Sequence, residues 1–341
     1  MATLVIGDLH FDTKPVGILE AQENAVKQLI WRYKDKVDDF VFLGDLMMHR
    51  RPYPSVLLAL QRVLDEIPIS KNVYILRGNH DSENKTDDGI TALSLFRQNH
   101  IWVIKETSAS LDKKKWLIPH YESEERIISD LERAPDNSVV FGHFGYNGCL
   151  NSAGDNDFNL NLDHFRNTTI LGHIHHFSSK KGFNQEKQVI TLGTPYTTSF
   201  NESRKDCYVA FLEGEEIRLD SVDCGPRHIT INIEDIPSNV DFLNDPNYFT
   251  MLRVMLNSLE ESTESVSDAL KDLKVAYVET KYRRVYHEEY DVGTYDTENS
   301  VNEITDDLIE EYINSSDTEL PKEELMSGLK TIYENQKLRS Q

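Results

Sequence analysis

Five short segments of this 341-residue chain carry residues able to ligate metals: Asp8 and His10, Asp45, Asn79 with His80, His143, and His173 with His175. Carboxylate, imidazole and amide oxygen in one set suit manganese, iron or zinc better than calcium or magnesium, which favour all-oxygen shells. No cysteine belongs to the set, which disfavours a structural zinc site. Two ions about 3.5 to 4 Å apart clamp a phosphoryl group, activate water at neutral pH and steady a departing oxygen. Such a pair needs a bridging carboxylate, and Asp45 is the natural candidate.

Each of these residues follows an element of one design. Leu4-Val5-Ile6-Gly7-Asp8, Phe40-Val41-Phe42-Leu43-Gly44-Asp45, Val73-Tyr74-Ile75-Leu76-Arg77-Gly78-Asn79, Val139-Val140-Phe141-Gly142-His143 and Thr169-Ile170-Leu171-Gly172-His173 are apolar runs, then a glycine, then a ligand. The runs have the length of buried strands, and each glycine reads as the turn off the strand. Polar groups therefore fall at strand ends, where α/β sheets build their sites. One Asp or His after a strand is an ordinary turn residue; five in order are not.

The motifs Asp8-Leu9-His10, Gly44-Asp45, Gly78-Asn79-His80-Asp81, Gly142-His143 and Gly172-His173-Ile174-His175 resemble the calcineurin-like metallophosphoesterase superfamily over roughly residues 1 to 225. Within it the chain looks like the double-strand-break repair nucleases: the SbcCD nuclease subunit and, above all, the phage recombination endonuclease subunit. Leu117-Ile118-Pro119 and Gly193-Thr194-Pro195 add to that likeness. The resemblance implies an α/β fold with a two-sheet core and helices outside. It implies that Asp8, His10, Asp45 and His175 hold one metal and that Asp45, Asn79, His143 and His173 hold the other, with Mn2+ expected at both. His80 would not ligate but would contact the scissile phosphate or the leaving group, as a catalytic imidazole. One departure stands out. The nuclease family often has a histidine three residues after the bridging aspartate; here that position is Met48, and His49 follows.

The other histidines carry less. His100, His164, His228 and His287 lie outside any ligand spacing, His176 abuts the last ligand, and His120 follows a strand where a structural role outweighs a place in the cleft.

A formal net charge of −22 is at odds with non-specific DNA binding, which draws on surplus Lys and Arg. Residues 288–341 hold 15 acidic residues against 4 basic ones, a net of −11 and half the total. The metals, with Arg50, Arg51 and Arg77 if they project there, could still make the catalytic face positive. The remaining deficit points to a partner that supplies basic surface. No apolar run is long enough to cross a bilayer, and no basic segment precedes the first strand. Three cysteines without zinc spacing fit a reducing cytoplasm.

Beyond the nuclease domain at 1–225, Gly225-Pro226 marks a boundary. Strands at 228–233, 249–254 and 275–280 and a helix at 262–273 make a small α+β unit, matching the capping DNA-binding domain of the nuclease family over 226–287. Residues 288–300 read as a solvated acidic linker. Two amphipathic helices follow within 301–341, built on Val301, Ile304, Leu308 and Tyr312, then Leu325, Leu329 and Ile332. In the resembling family such a helical pair docks on the coiled-coil base of an SMC-like ABC-type ATPase. The family also dimerises, and 18–33 or 55–65 could supply that surface.

The reading is therefore a metal-dependent DNA exonuclease and single-strand endonuclease of a recombination complex. A Ser/Thr phosphatase would show Gly-Asp-x-Val-Asp-Arg-Gly and Gly-Asn-His-Glu, whereas this chain has Gly44-Asp45-Leu46-Met47-Met48-His49-Arg50 and Asp81. A cyclic-nucleotide or other small-molecule phosphodiesterase leaves the linker and helical tail unexplained. A non-catalytic scaffold would have lost ligands, and none is missing.

Overall fold

In the computed structural model, which describes residues 1–150, 158–202, 206–214, 216–256 and 263–282, the apolar runs become strands of two stacked sheets. β1 (Ala2–Ile6), β2 (Asp39–Phe42), β3 (Asn72–Leu76) and β4 (Ile101–Ile104) lie parallel. Helices α1 (Ile18–Tyr33) and α2 (Pro54–Leu64) make the crossovers from β1 to β2 and from β2 to β3. The second sheet comprises β5 (Ser108–Ala109), β6 (Lys115–Ile118), β7 (Val139–His143), β8 (Thr169–Gly172), β9 (Ser178–Lys181) and β10 (Gln188–Thr191), in the order β5-β6-β7-β8-β10-β9. Helix α3 (Glu124–Glu132) joins β6 to β7. The hairpin of β11 (Tyr208–Glu213) and β12 (Glu216–Ser221) then completes the first sheet antiparallel to β1, giving β12-β11-β1-β2-β3-β4.

Alternation along the strands sets the layers. Leu4, Ile6, Phe40, Phe42, Val73 and Ile75 pack with Val26, Leu29 and Ile30 of α1 and with Leu60 and Val63 of α2. Their neighbours Val5, Val41, Tyr74 and Leu76 face the other way and meet Leu117, Phe141, Ile170 and Ile190 of the second sheet. On that sheet's far side Val140 and Leu171 pack with Ile127 and Leu131 of α3. The architecture is an α/β sandwich of helices, sheet, sheet and helix, as the resemblance implies. Because both faces of each sheet are covered, the strands read as continuous apolar runs. Burial of one such side chain stabilises by roughly 1.5–3 kcal/mol, and the three apolar layers together support a site dense in buried charge.

β13 (Gly225–Asn232), β14 (Tyr248–Leu256) and β15 (Tyr277–Tyr282) form a third, all-parallel sheet, with α4 (Val240–Leu243) and α5 (Thr263–Leu270) in its crossovers. Ile231, Leu243, Leu252, Val254 and Leu256 give it a core of its own. β13 starts three residues before the expected strand, because Gly225, Pro226 and Arg227 pair in register with Tyr248, Phe249 and Thr250 although they lack a strand pattern. Pro226 is tolerated because β13 is an edge strand. Residues Met1–Arg283 make one compact unit. The expected linker at 288–300 and the helical pair at 301–341 lie outside the described residues. Among the described residues no helix is long and apolar enough to cross a membrane.

Candidate metal centre

All seven expected ligands meet where the carboxyl ends of β1, β2 and β3 of the first sheet face those of β7 and β8 of the second. His143 Nε2 lies 3.3 Å from Asp45 Oδ2 and 3.1 Å from Asn79 Oδ1. His173 Nδ1 lies 2.9 Å from the same Asn79 oxygen, and the His173 N–H donates to Asp8 Oδ2 at 2.7 Å. His10 Nε2 lies 3.0 Å from His175 Nε2 and 3.8 Å from Asp45 Oδ2. Three of the ligands, His10, Asp45 and His173, have left-handed backbones with φ of 46°, 47° and 73°. Such a residue costs about 1–3 kcal/mol and persists only where its surroundings dictate it.

Those surroundings are specific. The N–H groups of Leu9 and His10 both donate to Asp45 O, and the Phe11 N–H donates to Leu46 O, so the first two ligand loops are stitched together. Gln22, buried on α1, accepts from the Asp12 N–H at 2.9 Å and donates to His10 O at 2.9 Å. Asp81, fully buried, accepts the N–H groups of Leu46, Met47 and Gly78, tying the second loop to the third. Gln22 is invisible to motif reading because only the docking of α1 gives it a partner.

Carbonyl and carboxylate acceptors fix the imidazole tautomers. His143 Nδ1 donates to Leu43 O at 2.8 Å, and His175 Nδ1 to Glu202 Oε1 at 2.5 Å, which turns Nε2 of each toward the centre. Glu202, fully buried, is in turn held by the Thr198 N–H at 2.9 Å and the Thr198 hydroxyl at 2.7 Å. The sequence reading missed Glu202, which lies 27 residues beyond its histidine at the end of a short 3-10 helix, Phe200–Glu202, with no motif of its own.

The charges in this cluster are at odds with one another. Burial, reinforced by Asp45, pushes Asp8 up to about 7 against the pull of His143. Burial opposes ionisation of Asp45 too, yet His143, His10 and His80 hold its carboxyl well below the usual range. Burial would lower His143, but Asp45 and Asp8 carry it up to about 9. Burial with His175 pushes His10 far down, and burial with His143 takes His173 down to about 3. His143 Nε2 thus faces the Asp45 carboxylate and the Asn79 amide oxygen, ground where a cation would serve, while Asp8 Oδ1 and His173 Nε2 are buried without a hydrogen-bond partner. Unpaired lone pairs beside neutral imidazoles and carboxylates are a donor set that divalent ions fit.

His80 lies at the edge of the cluster. Its N–H donates to Asp45 Oδ1 at 2.7 Å and its Nδ1 to Met48 O at 2.6 Å, and its ring stands edge-on to His10 at 5.0 Å. Among the described residues, Asp8, His10 and His175 form one group of ligand atoms close enough to share an ion, and Asp45, His143 and His173 another. A third group joins His10, Asp45 and His80, so the geometry also brings His80 within ligand range.

Outside the motifs, His120 lies nearer the centre than its sequence context implies. It is buried, stacks on His173 at 6.0 Å and stands edge-on to His143 at 6.0 Å, and burial pushes its imidazole down to about 3. His49 is exposed and faces Asp12 at 3.7 Å. Arg77 does not project to the catalytic face: it is 1% exposed, donates to His120 O at 2.5 Å and faces Asp87.

The fold and the site define a metallophosphoesterase. The calcineurin-like phosphoesterase family profile matches residues 1–177, and the chain belongs to that family. It is 25% identical over 210 residues to putative phosphoesterase 244L of Invertebrate iridescent virus 6, spanning 59% of this chain and 72% of that one. Two solved structures are also similar to it. A conserved protein of Streptococcus pneumoniae TIGR4, described as a predicted phosphoesterase, is 13% identical with a TM-score of 0.29, covering 64% of this chain and 87% of that chain. Pseudomonas putida nuclease MPE is 14% identical with a TM-score of 0.31, at the same two coverages.

Proposed function

We propose that the chain is the nuclease subunit of a DNA recombination and double-strand-break repair complex, acting as a 3' to 5' exonuclease on duplex ends and an endonuclease on single strands. The observation that carries this reading is the convergence of a complete ligand set with one further imidazole, His80, whose proton position is fixed. The motifs around Asp45 and Asn79, which lack the protein-phosphatase residues, and the parallel sheet added after Gly225 support the choice of branch.

Asp8, His10, Asp45 and His175 would hold one divalent ion and Asp45, Asn79, His143 and His173 the other, both proposed as Mn2+. When bound, the pair supplies positive charge at the phosphoryl oxygens and an activated water. Leu43 O and Glu202 keep the Nδ1 protons of His143 and His175, so that Nε2 is the ligating atom of each. Met48 O accepts only, so His80 carries a proton on Nδ1 in either charge state. As imidazolium it then carries a second proton on Nε2, which it can hand to the leaving oxygen while its charge offsets the charge that builds there.

On the same reading, 1–225 is the catalytic domain, 226–287 caps the DNA, 288–300 is a linker, and 301–341 docks on an SMC-like ABC-type ATPase in the cytoplasm. A homodimer through the surface of 18–33 or of 55–65 completes the assembly. The test is manganese-dependent degradation of end-labelled duplex by the full chain and by His80→Ala, with and without the ATPase. Loss of duplex that needs His80 and rises with the ATPase supports the proposal. Intact DNA throughout, with hydrolysis of a cyclic nucleotide or a phosphopeptide, overturns the choice of branch.

A further inference from the structure

Where the described residues make ion pairs, most arginines are neutralised. Arg32, Arg62, Arg77, Arg126, Arg133, Arg218 and Arg253 each face a carboxylate. Arg50, Arg51 and Arg97 have no carboxylate partner among the described residues, and all three line one open groove of about 590 Å³. Among the described residues Glu83 is the one acidic residue on its wall; Ile90 and Leu95, 53% and 68% exposed, give it an apolar edge. In a chain of net charge −22, three unpaired guanidinium groups in one groove are unlike the rest of the surface.

The groove is built from the two loops that hold His80. One runs from Met48, whose carbonyl takes the His80 ring proton, to Arg50 and Arg51. The other runs from His80 to Glu83. Arg50 joins them by donating from Nη1 to Asn84 O at 2.8 Å and to Ser82 O at 3.3 Å. Arg97 comes from a separate segment and is braced by its own Nε bond to Ser94 O at 2.9 Å. Guanidinium groups bind phosphate through paired N–H donors, and unpaired ones incur no cost of breaking an existing ion pair.

We infer that this groove is a backbone subsite for a nucleic-acid strand extending from the metal centre, with Arg51 and Arg97 contacting non-scissile phosphodiesters and Arg50 shaping its floor. The inference rests on the nuclease reading and names where that substrate lies. Ile90 and Leu95 would face sugar or base edges, which tolerate any sequence.

The test uses the full chain, Arg51→Ala/Arg97→Ala, Arg51→Lys/Arg97→Lys, and Arg166→Ala as a control, since Arg166 lies over the Phe183 ring and has no carboxylate partner among the described residues. Binding to a fluorescent oligonucleotide is followed by anisotropy in chelator across a salt series. Manganese-dependent cleavage of that oligonucleotide is then compared with cleavage of bis-p-nitrophenyl phosphate, which is too small to reach the groove. The double alanine variant is expected to lose about two units of the slope of log K against log salt, roughly one per phosphate contact. It is also expected to lower the oligonucleotide-to-small-ester ratio of kcat/KM at least tenfold. The lysine pair should restore the slope, and Arg166→Ala should leave it unchanged. An unaltered slope and ratio in the alanine variant, while wild type cleaves the oligonucleotide, overturns the groove and leaves the nuclease reading standing. Wild type that cleaves only the small ester overturns the nuclease reading, and the groove falls with it.

Discussion

Asp45 Oδ1 occupies the space that any side chain at position 78 would need: a Cβ on Gly78 would lie 2.1 Å from that oxygen and 2.4 Å from the Asp45 backbone nitrogen. Gly44 stands in the same relation to His143 Nδ1, at 2.5 Å, and Gly172 to Asp8 Oδ1, also at 2.5 Å. The glycine before each of these ligands thus makes room for a ligand of a different motif. Gly78→Ala must displace Asp45, because a backbone nitrogen cannot give way as a flexible side chain can. The expected result is a loss of about 1–3 kcal/mol in urea unfolding, together with loss of bound divalent metal measured by elemental analysis. An alanine variant with full metal content would show that Asp45 is not held as described.

Glu202 and His175 provide a second test. The carboxylate orients the imidazole and raises its basicity, an effect commonly worth 10- to 100-fold in metal affinity. Glu202→Ala should weaken manganese binding by about that factor in calorimetric titration. Glu202→Gln, which keeps an acceptor oxygen near Nδ1, should lose less. Equal losses would mean that the charge of the carboxylate, and not the orientation an acceptor oxygen gives the ring, is what Glu202 supplies.

For His80, rate and metal content separate the two positions the geometry allows. If it handles the leaving-group proton, His80→Ala should lower kcat by about 10²- to 10⁴-fold, with manganese stoichiometry unchanged. A fall in stoichiometry would place His80 among the ligands with His10 and Asp45.

A pH dependence follows from α1 and α2, away from the candidate metal centre. Arg62 Nε and Nη2 donate to the two carboxylate oxygens of Glu23 at 2.8 and 2.5 Å, and Lys27 lies 3.0 Å away. The Arg62 bonds hold the Glu23 carboxyl below its ordinary 4.5 despite partial burial. A depressed carboxylate stabilises the fold above its unfolded value, and that stability is lost as pH falls through the folded value. Because Arg62 is half exposed, the contribution at neutral pH is about 0.5–1 kcal/mol. Urea unfolding should therefore show Glu23→Gln weaker than wild type at pH 7, with the difference closing as pH drops below 4.5. A gap that persists in acid would assign it to packing.

The candidate ligands and the strands that end in them were legible in local sequence. Apolar runs closed by glycine and a ligand are local patterns, and strand pairing follows such patterns because each run buries both of its faces. Leu4 and Val5 already belong to different cores by alternation alone. Tertiary structure decided what the pattern could not carry: that three strand ends of one sheet and two of another share a single site. It also decided that Gln22 and Glu202 hold the ligand loops, that Arg77 turns inward beneath His120, and that Arg97 joins Arg50 and Arg51. Each of these links residues far apart in the chain through the stacking of sheets and the docking of helices. Such contacts depend on distance and direction in space, which local periodicity does not encode.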